Sequence, residues 1–178
     1  MANWPAMRPG TVGINMGAMM AAADRLTIEV SGRGGHGAHA YQTVDPVLVA
    51  AHIITAAQSI VSRNVRPIDS AVVSLCAMQA GDLGAMSVIP DKAVLVGTVR
   101  TFNPDVQDMV QQRLRELCSG VALGFGATAT VHYERIYPAT INTEKEAAFA
   151  ADVAETLVGP DHVNRDMEPS MGAEDFSF

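Results

Sequence analysis

Only two cysteines occur among 178 residues, and neither belongs to a C-x-x-C pair. That excludes a disulfide framework, and Cys76 and Cys118 are read as reduced, buried thiols of a cytoplasmic protein. Basic residues are also scarce, 12 Lys and Arg against 19 Asp and Glu, for a formal net charge of −7. They are scattered, so a nucleic-acid surface is excluded and small molecules or proteins are the expected partners. No apolar run approaches the roughly 18 residues that cross a bilayer, which argues against a membrane protein. Trp4, Pro5, Arg8, Pro9 and Gly10 interrupt the start where a signal peptide needs an apolar stretch.

The chain does contain enough apolar sequence to fold, with 48% hydrophobic and 17% charged residues and a mean hydropathy of +0.16. Its length suits one domain, or one small domain with pieces of another. Residues 1 to 23 mix Pro, Gly and Met without a period and resemble a segment of a larger core. From Asp24 order sets in: "RLTIEVS" alternates Leu26, Ile28 and Val30 against Arg25, Thr27 and Glu29, the pattern of a half-buried strand. Asp45-Pro46 and Asn103-Pro104 each combine an N-cap with a first-turn proline. The first opens a helix with Val47, Ala50, Ala51, Ile54, Ala57 and Val61 on one face. The second opens one with Val106, Met109, Val110, Leu114, Leu117 and Val121.

"SAVVSLCAMQAG" and "KAVLVGTVRTF" read as two strands between these helices, and "ATATVHYERIY" as a fourth with Ala129, Val131, Tyr133 and Arg135 on one face. The order from Asp24 to Tyr137 is therefore β-α-β-β-α-β. This predicts an α+β, ferredoxin-like domain with a four-stranded antiparallel sheet and both helices on one face. Beyond Pro138 a third helix is expected, with Thr143 and Glu146 as a capping box and Ala147, Ala150, Ala151, Ala154 and Leu157 as its packing face.

The stretch "SGRGGHGAHA", Ser31 to Ala40, holds four glycines and two histidines. It matches G-x-G-x-x-G, but the helix signal comes only at Asp45-Pro46 and no acid ends the next strand, which argues against a dinucleotide site. His36 and His39 have no nearby carboxylate or thiolate to complete about four zinc ligands. His39, His52, His132 and His162 are read as ordinary surface or partly buried histidines. Two readings stay open: a plain glycine turn, or a turn that presents His36 as a donor toward negative charge developing on a substrate oxygen.

"NWPAMRPGTVG", "GRGGHGAH…DP", "SVIPDKAVLVGTVRTF" and "MGAEDFS", in that order, resemble the hippurate hydrolase branch of the aminoacylase and carboxypeptidase-like zinc amidohydrolases. The resemblance implies hydrolysis of N-acyl amino acids by a catalytic domain that carries two metal ions, Zn or Mn. It also implies an inserted lid that forms a homodimer through its sheet edge. By that resemblance His36 reaches across the dimer and stabilises the oxyanion, Arg100 at the end of "GTVR" holds the substrate carboxylate, and Ser87 hydrogen-bonds the substrate.

Residues 24–137 would then be the lid, and 1–23 and 138–178 partial catalytic-domain segments. Ala2 stands where the family pattern has a metal-binding His, and Ala40 where Pro is common. The other metal ligands have no counterpart in this sequence, so no metal is expected on this chain alone and it is expected to be inactive. Glu174 and Asp175 are read as ordering a loop. The alternative is a ferredoxin-like module without enzymatic activity that dimerises or binds a small molecule.

Overall fold

The computed structural model describes residue 4 and residues 7–178. Ala2, the departure from the metal-ligand pattern, lies outside the described residues. The chain is a mixture of sheets and helices that divides into two compact units, Met1–Ala23 with Tyr137–Phe178 and Asp24–Ile136. In chain order the elements are β1 (Val12–Gly13), β2 (Ala18–Met20), β3 (Ala22–Ser31), β4 (Gly35–His36) and a 3-10 helix (Gly37–Gln42). Next come α1 (Pro46–Ser59), extended by a π-helical turn (Ile60–Asn64), then β5 (Ala71–Ala80), β6 (Val88–Ile89), β7 (Lys92–Thr101) and α2 (Pro104–Gly124). There follow β8 (Thr128–Tyr137), β9 (Thr140–Ile141), α3 (Glu144–Val158), a 3-10 turn (Pro160–His162), β10 (Val163–Asn164) and a last 3-10 turn (Asp175–Ser177).

In the second unit a four-stranded sheet runs in the order β5-β7-β3-β8. β5 and β7 are antiparallel. β3 and β7 also run in opposite directions, because the Thr98 hydroxyl donates to the carbonyl of Asp24 at one end and the Gly32 amide to that of Asp91 at the other. Leu26, Ile28 and Val30 of β3 and Leu95 and Val99 of β7 are fully buried, beside Val49, Ile53 and Ile60 of the first helix and Val110 and Leu114 of the second. Each such side chain contributes about 2 kcal/mol through burial. Both predicted helix starts form as capped turns. Asp45 Oδ1 accepts from the amide of Val47 at 2.8 Å, and Asn103 Oδ1 from that of Asp105 at 2.9 Å.

Asp24 lies in phase with Leu26, Ile28 and Val30 and points inward with them, 1% exposed. A carboxylate there needs partners. Gln107 Nε2 donates to both of its oxygens at 2.9 Å, and the Tyr133 hydroxyl donates to Oδ2. Burial, reinforced by Asp24, pushes the Tyr133 hydroxyl well above the ordinary phenol range. This network joins β3, α2 and β8.

In the first unit β1 pairs in parallel with β10, and β2 antiparallel with β9. Arg165 binds Glu155 on α3 at 2.7 Å and Asp152 at 2.5 Å.

Several expectations need correction. Cys118 is buried, and burial pushes its thiol up to about 12, but Cys76 is exposed. The register jumps between Leu75↔Gly97 and Ala77↔Val96, so Cys76 is the unpaired residue of a bulge, and the inward alternation of β5 stops there. The buried face of α1 is Val49, Ala50, Ile53 and Ala57, while Ala51 is exposed. On α3, Ala147, Ala151 and Ala154 are buried but Ala150 and Leu157 are not. The Thr143–Glu146 box is half made: Thr143 caps no amide through its side chain, although its hydroxyl helps hold the Glu146 carboxyl below its usual range. The helix Pro46–Asn64 is long and apolar enough to cross a membrane by length and composition alone, against the expectation that no segment is. Its Val49, Ile53 and Ile60 instead lie in the core of the second unit.

Candidate functional site

The site is built on a two-stranded ribbon. β4 pairs antiparallel with β6, with Gly35 opposite Ile89 and His36 opposite Val88. The Gly37 amide donates to the carbonyl of Ser87 at 2.7 Å. At the base of the ribbon the Gly34 amide donates to Asp91 Oδ1 at 2.8 Å.

None of the glycines in this stretch has a positive φ, so a left-handed turn is not why they are there. They allow close approach. A Cβ on Gly34 would lie 2.4 Å from the carbonyl oxygen of Ile89, and one on Gly32 would lie 2.1 Å from that of Val44. Both obstacles are backbone. At Gly37 the nearest atom is 3.5 Å away, an ordinary contact. Gly34→Ala is therefore expected to destabilise the protein by about 1–3 kcal/mol and to displace the ribbon. Gly37→Ala should stay within about 0.5 kcal/mol of the parent. Thermal unfolding of the two variants checks this, and equal losses would contradict it.

His36 is exposed at the ribbon's tip. Its Nδ1 accepts from the amide of Ala38 at 3.1 Å. An acceptor at Nδ1 places the proton of the neutral ring on Nε2, so the outer nitrogen is a free donor. The His39 ring lies 5.7 Å from that of His36, centroid to centroid, and the Tyr41 ring 6.0 Å from that of His39.

Ser87 is brought beside His36 through the Gly37 hydrogen bond. Arg100 is not. It lies on β7 opposite Val72, between buried Val99 and buried Thr101, and so on the sheet face away from the helices. It forms no ion pair among the described residues. The His36 ribbon starts at the Asp91 end of β7, and Arg100 lies eight residues beyond Lys92, or about 26 Å along an extended strand.

Among the described residues no three His, Cys, Asp or Glu side chains group closely enough to hold a metal ion. The dinuclear centre implied by the resemblance does not fit these residues. Glu174 precedes a short 3-10 turn, Asp175–Ser177, without capping it through its side chain, and lines a cleft of about 740 Å³ in the first unit with Met7, Arg8, Met19 and Met167. None of His36, Ser87 or Arg100 lines that cleft. Asp24 was not among the predicted site residues, although its period-two phase with Leu26 marks it as inward.

The second unit thus combines a four-stranded sheet, helices packed on it and a two-stranded ribbon. Residues 22–124 match the peptidase dimerisation domain of the M20 family. The chain belongs to that family.

It is 38% identical to the hippurate hydrolase of Campylobacter jejuni over 93% of this chain and 43% of that protein. It is 36% identical to the N-acetylcysteine deacetylase of Bacillus subtilis over 100% of this chain and 46% of that one. Among solved structures, a dinuclear metal binding peptidase of the M20 family from Bacillus subtilis superposes with a TM-score of 0.75 at 31% identity, covering 98% of this chain and 42% of that one. The chain thus spans less than half the length of these relatives.

Proposed function

We propose that this chain is the lid-bearing part of a metal-dependent hydrolase of N-acyl amino acids, with hippurate as a representative substrate. In this reading residues 24–137 are a ferredoxin-like lid, and 1–23 and 138–178 are portions of a catalytic domain. The two metal ions, Zn or Mn, are held by segments outside this chain.

The observation that carries the proposal is the state of His36: exposed, hydrogen-bonded by the Ala38 amide at Nδ1, and left with a free Nε2 donor. Such a donor binds a carbonyl oxygen most strongly as it becomes an oxyanion. Ser87 at the same tip offers a hydroxyl to the substrate. Arg100 supplies a guanidinium fork for the substrate carboxylate. Because Arg100 lies about 26 Å of strand away from the His36 ribbon, the two serve one substrate only if they come from different protomers. That agrees with a homodimer formed through the free sheet edges, β5 and β8.

The full-length enzyme is expected to release glycine from hippurate, to lose this activity to a chelator and to regain it with Zn or Mn. The purified chain is expected to release none under any of these conditions, because its described residues hold no ligand set. Metal-dependent hydrolysis of hippurate by the chain alone would overturn the assignment.

A further inference from the structure

His36 needs a fixed ring direction, and one hydrogen bond to Nδ1 leaves rotation about the ring's own axis loosely restrained. The ribbon offers a second restraint. Gly37 and Ser87 are a hydrogen-bonded pair, so by the alternation of an antiparallel ladder the next pair, His36 and Val88, is a non-hydrogen-bonded one. Such pairs bring side chains closest together, on the same face, with Cβ atoms about 4.5–5.5 Å apart. Val88 is 61% exposed and has no place in the buried core. A large apolar, β-branched residue left in solvent on a two-residue strand has no packing role of its own there.

We propose that Val88 is a positioning residue for His36. Its two methyl groups form a stiff wall beside the imidazole and hold the ring in the orientation that points Nε2 at the substrate oxygen. Branching at Cβ fixes the valine's own rotamer, so the wall itself does not move. This rests on the oxyanion role proposed for His36.

The test is a double-mutant cycle in the full-length enzyme with hippurate as substrate. Val88→Ala is expected to lower kcat about fivefold with KM nearly unchanged, the scale of one cross-strand contact. Val88→Thr, which keeps the branched shape, is expected to restore most of the loss. In a His36→Ala background Val88→Ala should have no further effect, because no ring remains to be held. A fivefold loss that persists in that background would overturn the proposal, as would an unchanged kcat in Val88→Ala alone. If His36→Ala itself leaves kcat unchanged, the failure lies with the oxyanion role.

Discussion

Replacing His36 by Ala in the full-length enzyme is expected to lower kcat about a hundredfold or more with little change in KM, the cost of removing one oxyanion donor. The reason is geometric. A neutral substrate carbonyl draws little from an Nε2–H donor, whereas the tetrahedral oxyanion draws strongly, so the lost interaction belongs to the transition state. Stability should hardly change, since His36 is exposed and bonds only the nearby Ala38 amide. Arg100→Ala should behave differently and mainly raise KM, because a carboxylate is equally charged before and during the reaction. Steady-state kinetics on both variants separates the two roles, and an unchanged kcat for His36→Ala would remove its part in catalysis.

The second large effect concerns folding. Asp24→Ala is expected to destabilise the chain by about 3 kcal/mol, because the Gln107 amide and the Tyr133 hydroxyl would both lose their acceptor. Asp24→Asn should cost less, since its carbonyl still accepts one of the two donors. The network also sets an alkaline limit. Burial and Asp24 raise the Tyr133 hydroxyl above its ordinary value, so the unfolded chain releases this proton first. The stability from this group is complete below about pH 10, the unfolded value, and is lost as pH rises beyond it. Tyr133→Phe should lower stability at neutral pH by about 1 kcal/mol while flattening the alkaline decline. Urea unfolding between neutral and alkaline pH measures both, and a parallel alkaline decline in parent and variant would contradict the account.

Much of the second unit was legible because its signals are local. The strand alternation at Leu26, Ile28 and Val30 and the caps Asp45 and Asn103 depend on neighbours in sequence, and the structure shows each of them. The face of α1 was not legible to the same degree. Apolar residues from Val47 to Ala51 surround the helix almost completely, and only contact with the sheet selects Val49 and Ile53. Cys76 could not be placed from alternation, because the bulge that turns it outward is a property of its pairing with β7.

His36 is exposed, but the glycines around it do not form the sharp turn expected of them. The glycines before it serve the close passage of Ile89, 55 residues beyond Gly34, and of Val44, 12 residues beyond Gly32. Arg100 and Ser87 are candidates through the resemblance rather than through spacing. That Ser87 adjoins His36 while Arg100 stands apart needed the ribbon and sheet.

The central claim is that His36 of one protomer and Arg100 of another act on one substrate, and mixing two impaired variants tests it most directly. His36→Ala and Arg100→Ala subunits of the full-length enzyme, co-refolded in equal amounts and assayed at low substrate, form mixed dimers in which one of the two sites has both residues intact. With statistical assembly of a two-fold dimer, the mixture should recover about one quarter of the parent rate. A mixture no faster than the average of the two variants would contradict the account.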